Sequence, residues 1–285
     1  MGGFRFFRPE SMAQLLEVKY KVGRRAHILD GGSNVLVYVK EGTIEGGTLV
    51  DVRRLAALKG IAVKNGQVEI GAGEVIADIL ASPVIRREAR FFAEALQKFA
   101  NPLVRNMATL AGNIADSSPI GDTIPPLLVL DAKVVVASHQ GRRVVPLAEF
   151  FTGPGANVLK PSEVITRIRF PVPGKGRGGF LKFGLRRGTS CSVASVAVWV
   201  TSRAGKIEEA RIALGGVAPT PLRARMTEGM LKGKKADGQL VESIAARVEH
   251  EISPISDVRA SAEYRRQVTG KLLAKALRQA LGLEE

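Results

Sequence analysis

One cysteine, Cys191, and three histidines, His27, His139 and His250, are all the soft ligands in a chain of 285 residues. That supply excludes a disulfide framework, a thiolate zinc site and an iron–sulfur cluster held by this chain alone. Any redox chemistry must therefore use an organic cofactor. Long hydrophobic runs are missing too: no apolar stretch approaches the ~18–20 residues that span a bilayer. The start, MGGFRFFRPESMAQLL, has neither the apolar segment nor the small-residue cleavage pattern of a signal peptide, so a cytoplasmic protein without a membrane span is expected. Aromatics are scarce at 5%, which weighs against a single-strand nucleic-acid surface, where rings stack bases between cations.

Acids are in the minority. Lys and Arg total 42 against 27 Asp and Glu, a net charge of +15. The cations are scattered through VGRR, VIRREAR, GRRVV, GLRRG and EYRRQ rather than gathered in one block. A solvated basic surface, or one matched to an acidic partner subunit or an anionic ligand, accounts for that distribution better than a nucleic-acid groove. With 45% hydrophobic and 24% charged residues, the rest of the composition is that of a globular protein with a sizeable core.

Along the chain, AHILDGGSNVLVYVKEG reads as a strand, a glycine turn, then a strand or helix. GIAVKNGQVEIGAG predicts a hairpin at Asn65-Gly66, a dipeptide whose residues both accept positive φ. In VIRREARFFAEALQKFA, Ile85, Ala89, Phe92, Leu96 and Phe99 recur at helical spacing, which predicts one continuous helix ended by Asn101-Pro102. AKVVVASHQGRRVVPL predicts a second hairpin, and EVITRIRFPVP a strand closed by prolines. The glycine-rich, basic GKGRGG, residues 174–179, divides the chain into two expected domains, 1–174 and 175–285. The second is expected to hold strands over CSVASVAVWV and EEARIALGGV and two amphipathic helices. The last helix runs roughly from Ala262 to Leu281, with Tyr264, Val268, Leu272, Ala276 and Ala280 near one face.

Three glycine motifs compete for attention. Gly71-Ala72-Gly73 with Ala77 fits the dinucleotide fingerprint, but its strand belongs to a hairpin and no acid ends a strand about 20 residues on, so a Rossmann site is not expected. DGGSNVL, residues 30–36, is either a backbone nest whose N–H groups converge on an anion or a tight turn with Asn34 satisfying its own backbone. ATLAGNIADSSPIGDTIPPLLVLDAKVVV, residues 108–136, repeats that chemistry: Gly112 permits close approach, Thr109, Asn113, Ser117 and Ser118 supply neutral donors and acceptors, and Asp122 suits a sugar hydroxyl. Two such segments fit a ligand with two phosphates and a polyol arm, bound outside a Rossmann fold.

Four ordered stretches, GGSNVLVYVKEG, VRNMATLAGNIADSSPIGDTIPPLLVLDA, RIALGGVAPTPLRA and SAEYRRQVTGKLL, make the resemblance specific. From Phe4 to about Leu281 the chain resembles the FAD-binding medium subunit of the molybdenum hydroxylases, the family of xanthine dehydrogenase and aerobic carbon monoxide dehydrogenase. The resemblance implies an α+β fold: a two-part FAD domain of the vanillyl-alcohol-oxidase (PCMH) type, then a small C-terminal domain of sheet and helices. It implies FAD in this chain, with molybdopterin and [2Fe-2S] clusters only in partners: a small two-cluster iron–sulfur subunit and a large molybdopterin subunit, assembled as a dimer of heterotrimers. Leu29, Asp30, Gly31, Gly32, Ser33, Asn34 and Val35 would then line the pyrophosphate and adenine arm. Thr109, Gly112, Asn113 and Ser117 would hold the phosphate and ribityl portion, and Asp122 a sugar hydroxyl. Phe99 would flank the isoalloxazine, while Ile165 and Lys182 match positions near the ring or the adenosine end.

Three residues depart from the family pattern: Asp30 stands where alanine or another apolar residue is common, Asn34 where acids or serine are usual, and Ala111 in place of the first glycine of a pair. The cysteine-bearing insertion of one family branch is missing, and Cys191 is expected in or beside a buried strand with no chemistry of its own. The implied function is a flavoprotein subunit that needs no general acid or base, relaying electrons from partner clusters to an external acceptor. One alternative is a stand-alone flavin reductase similar to UDP-N-acetylenolpyruvoylglucosamine reductase, which shares GGSN but leaves RIALGGVAPTPLRA unexplained. The other is a basic nucleic-acid-binding protein without redox chemistry.

Overall fold

The computed structural model describes residues 3–186 and 190–283. The chain begins with a small parallel sheet built from β1 (Phe4–Phe7), β2 (Ala26–Leu29) and β3 (Gly47–Asp51), in the order β1-β3-β2. Helix α1 (Met12–Val22) joins the first two strands, and α2 (Val35–Lys40) lies between the second and third. DGGSN therefore leads from a strand into a short helix, one of the two outcomes its apolar pattern allows.

Next comes β4 (Ile61–Lys64), which turns through Asn65 (φ 49°) and Gly66 (φ 71°) into β5 (Gln67–Gly71), the hairpin expected from the dipeptide. Helices α3 (Ile76–Ala81), α4 (Pro83–Glu88), α5 (Arg90–Gln97), α6 (Pro102–Arg105), α7 (Leu110–Asp116) and α8 (Ile124–Val129) follow. The single helix expected over VIRREARFFAEALQKFA is two, because Ala89 leaves helical space (φ −141°, ψ 47°). The break lets Phe91 and Phe92 both bury, one against Trp199 and the other edge-on to Phe170, a tertiary demand that helical spacing alone does not reveal. Phe99 consequently lies beyond the end of α5. Asn101 caps the start of α6, accepting from the Val104 N–H at 2.9 Å, rather than simply ending the preceding helix.

After α8 the chain forms β6 (Lys133–Ser138) and β7 (Gly141–Pro146), then the short pair β8 (Phe151–Gly153) and β9 (Ala156–Asn157), and β10 (Val164–Pro171). β10 inserts between β5 and β6 to complete an antiparallel sheet of order β4-β5-β10-β6-β7. A bulge shifts the register of β10 against β6 between Ile165 and Arg167.

The remaining strands, β11 (Arg177–Gly184), β12 (Ser192–Arg203), β13 (Lys206–Gly215) and β14 (Leu222–Arg223), pair in sequence order as a second antiparallel sheet. β11 starts inside the glycine-rich stretch, at Arg177. Helices α9 (Arg225–Leu231), α10 (Gly238–Arg247) and α11 (Ala262–Leu281) follow, so the last helix has the expected limits and α9 is an additional one. β12 is buried without interruption from Ser192 to Val200. Ala197 and Trp199 join the core of the first half, while Ala194, Val196, Val198 and Val200 join the core under α11, so one strand serves two cores by period-two alternation. Cys191 is exposed and stands immediately before this strand. No helix among the described residues is long and apolar enough to cross a membrane.

Two arginines fasten the halves together. Arg223 donates to the Leu128 carbonyl oxygen at 3.0 Å and to Asp131 Oδ1 at 2.7 Å, and pairs with both Glu228 oxygens, while Arg211 reaches Asp131 and the Val129 carbonyl oxygen. They satisfy carbonyls left open at the end of α8, and the Arg223 side chain is 5% exposed. Removing it leaves the buried Glu228 carboxylate with only the Ile212 N–H and the more distant, exposed Arg225 as partners. Arg223→Ala is expected to lower unfolding stability by about 3 kcal/mol, read by urea denaturation; a loss below about 1 kcal/mol would show that the clamp contributes little.

Candidate functional site

The two glycine segments meet in space. Gly31 packs so closely on the backbone of Met107 that a Cβ at residue 31 would overlap the Met107 carbonyl oxygen. Gly32 adopts φ 73°, a left-handed conformation that costs glycine nothing, with the Leu29 and Leu36 side chains beneath it. The contact sets DGGSN beside the loop that enters α7. Together they line a cleft of about 480 Å³, within the size range of cofactor sites, roughly 300–1,000 Å³.

Asp30, Gly31, Gly32, Ser33, Asn34 and Val35 form one part of the lining, and Thr109, Gly112 and Asn113 another. Phe99 and Ile165 also reach it, the second from beside the β10 bulge. Among the described residues, the backbone N–H groups of Gly31, Gly32, Ser33 and Asn34 have no protein acceptor. Unpaired donors at a cleft wall suit an anionic ligand. The second segment is a capped helix rather than an extended nest: the Thr109 hydroxyl accepts from the Gly112 N–H at 3.1 Å, and Gly112 and Asn113 lie inside α7. Gly112 is exposed there, and Asn113 turns its Oδ1 back to accept from the Thr123 hydroxyl at 2.6 Å, which leaves its amide N–H groups available.

Four of the sequence candidates do not line the cleft. Leu29 is buried at the end of β2, where its carbonyl oxygen accepts from the Val52 N–H. Ser117 is fully buried in left-handed conformation after α7; its hydroxyl bonds the Ile114 and Ala115 carbonyl oxygens and accepts from Asn157. Asp122 and Lys182 pair with each other at 2.6 Å, and Ser192 donates a short hydrogen bond to the same carboxylate. Burial raises the Asp122 pKa while the Lys182 ammonium opposes that shift. These groups join the end of the 108–122 segment to β11 and β12, with their polar atoms already matched.

Sequence reasoning missed several lining residues. Tyr38 lies two residues beyond DGGSNVL, Asp116 lies inside the second segment but was not singled out there, Lys19 and Arg24 belong to α1 and the turn after it, and Lys160 and Glu163 come from the loop before β10. Arg143 grips Glu163 through both carboxylate oxygens at 2.7 Å, and the Lys160 N–H donates to the same group, so that wall is held rigidly. Ala72 of the rejected fingerprint also reaches the cleft, which the fingerprint's position after a hairpin strand could have signalled. Its glycine Gly71 serves strand packing, since a Cβ would strike the Leu58 carbonyl oxygen.

Electrostatically the cleft is mixed. Burial pushes the Asp30 carboxyl up to about 6; Asp51 and Glu74 reinforce the shift, and Lys59 and Arg53 oppose it. Asp51 itself is held well below the usual carboxylate range by the Arg53 and Arg8 guanidinium groups. Because Asp30 binds its proton more tightly in the folded chain, stability falls as pH rises from about 4 to about 6. Asp30→Asn is expected to remove that slope and to be more stable above pH 6 by on the order of 1 kcal/mol after screening in an open cleft, measured by urea denaturation at several pH values. An unchanged slope would mean that Asp30 stays ionised. Gly31→Ala is expected to cost about 1–3 kcal/mol in the same measurement, since the Met107 carbonyl must move.

Similarity to known proteins runs along nearly the whole chain. The family model described as "FAD binding domain in molybdopterin dehydrogenase" matches residues 2–173, and that described as "CO dehydrogenase flavoprotein C-terminal domain" matches residues 180–280. The chain is 30% identical over 274 residues to the carbon monoxide dehydrogenase medium chain of Hydrogenophaga pseudoflava, covering 96% of each. It is 31% identical over 277 residues to the glyceraldehyde dehydrogenase medium chain of Sulfolobus acidocaldarius, covering 97% of this chain and 98% of that one. Among solved structures, a chain of reconstituted CO dehydrogenase from Oligotropha carboxidovorans superposes with a TM-score of 0.95 at 30% identity, covering 99% of both. The chain thus belongs to the family of FAD-binding medium subunits of the molybdenum hydroxylases.

Proposed function

We propose that this protein is the flavoprotein subunit of a cytoplasmic molybdenum-containing dehydrogenase, binding one FAD in the cleft between its two glycine segments. A small iron–sulfur subunit would deliver electrons to it, and a large molybdopterin subunit would carry out the substrate oxidation. The observation that carries the reading is the row of unpaired N–H groups at Gly31–Asn34 facing the capped start of α7 across one cleft.

When bound, FAD supplies a carrier that exchanges electrons singly or in pairs. The residues of this chain bind and shield it. Gly31, Gly32, Ser33 and Asn34 offer backbone donors to the diphosphate, and Asn113 adds a neutral side-chain donor that asks for no proton transfer. Phe99, Ile165 and Ala72 supply apolar surface that excludes water from the ring system. Leu29 and Ser117 act from behind by fixing the ends of the two segments, and the Asp122–Lys182 pair holds the second segment to β11. On this reading FAD contacts fall in residues 1–174, and residues 175–285 supply the supporting sheet. Neither a stand-alone reductase nor a nucleic-acid-binding protein accounts for the match over residues 180–280.

Purified chain supplied with FAD is expected to show a flavin spectrum with one equivalent bound, and Asn113→Ala to weaken FAD binding roughly tenfold while the apo chain stays folded, losing on the order of 1 kcal/mol because the buried Thr123 hydroxyl loses its acceptor. A colourless protein that takes up no FAD sinks the reading.

A further inference from the structure

A side-chain hydrogen bond ties the helix after the first glycine segment to the second segment. Tyr38, in the middle of α2, donates its hydroxyl hydrogen to Asp116 Oδ1 at 2.7 Å, and Asp116 ends α7, 78 residues further along the chain. Both side chains line the cleft, and the Asn34 side chain sits beside the same hydroxyl.

The need for such a bond follows from how weakly α2 is otherwise held. It has six residues, and none of them is buried; Leu36 and Val37 face outward. A helix this short has little stability of its own and ordinarily takes its orientation from a buried apolar face. α7, by contrast, is anchored by buried Leu110, Ala111 and Ile114. The loops that open the two helices touch at Gly31 and Met107. A second tie beyond that contact converts a hinge into a closed frame.

We propose that Tyr38 and Asp116 form a latch that fixes α2 against α7 and so sets the width of the cofactor cleft, acting as positioning residues for FAD rather than as contacts to it. The proposal rests on the reading of this cleft as the FAD site. The bond is charge-assisted, and a phenol bonded to a carboxylate gains more than one bonded to water. Burial, followed by the bond to Asp116, pushes the Tyr38 hydroxyl up to about 12, so the donated proton stays in place through neutral pH. With the latch intact, the N–H groups of residues 31–34 face Gly112 and Asn113 at a set spacing. Without it, α2 swings about the Gly31–Met107 contact and the donors lose their common focus.

The test follows FAD release from the full-length chain by flavin fluorescence. Tyr38→Phe and Asp116→Ala are each expected to speed release roughly tenfold, and Asp116→Asn to stay within about twofold of wild type, because an amide oxygen still accepts the tyrosine proton. The Tyr38→Phe/Asp116→Ala double variant is expected to be no faster than either single one, since both remove the same bond. In the apo chain, backbone amides of residues 35–40 are expected to exchange faster in Tyr38→Phe and Asp116→Ala but not in Asp116→Asn, a readout that needs no bound cofactor. Wild-type release rates in Tyr38→Phe, equal losses in Asp116→Asn and Asp116→Ala, or multiplicative effects in the double variant would each overturn the latch while leaving the FAD cleft standing. A wild-type chain that takes up no FAD would remove both.

Discussion

The architecture turns on a contact that only a glycine allows: the backbone of residue 31 laid against the carbonyl of residue 107. Side chains ordinarily keep chain segments a side chain's width apart. Removing one Cβ brings two loops, more than seventy residues apart in sequence, to backbone distance. One loop leaves a parallel strand with backbone donors the fold does not use, and the other enters a capped helix that turns the Asn113 amide to the same cleft. The cleft is thus a consequence of close approach, and the rest of the first half, including the Arg143–Glu163 wall, keeps that approach from relaxing.

A flavin-carrying subunit needs its cofactor held in position and in a suitable field, and the charges around the cleft follow a pattern. Carboxylates near the cleft are mostly neutralised by nearby cations: Asp51 by Arg8 and Arg53, Glu163 by Arg143. Asp30 is the exception, half-buried with like charges close by.

Among the described residues, those lining the cleft all come from the first half, and the second half packs outside it. β12 offers one face to each core, and the α8 carbonyls are taken up by Arg211 and Arg223 from the far sheet. Phe91 wedges against Trp199 over Gly178, where a Cβ would meet the ring. The two halves are therefore packed as one body along an apolar seam, which keeps Asp122 and Lys182 matched across it.

Much of this was legible from residue order alone. The Asn65-Gly66 hairpin, the two glycine segments, the sheet of β12 and β13 and the final helix all depend on short-range rules of turn geometry and periodicity, which local sequence carries in full. So was the kind of ligand, because two anion-friendly segments in a chain too poor in cysteine for a thiolate zinc site or an iron–sulfur cluster suit an organic dinucleotide. Long-range packing settled the remainder. The break at Ala89 answers to Trp199, a hundred residues away. Ser117 and Asp122 look like ligand groups in sequence, yet folding hands them to Asn157, Lys182 and Ser192. Tyr38 and Asp116 look unremarkable in sequence and become partners only when their helices meet. Hydrogen-bonding capacity is written in a residue's identity, but its recipient is chosen by whatever the tertiary fold brings within 3 Å.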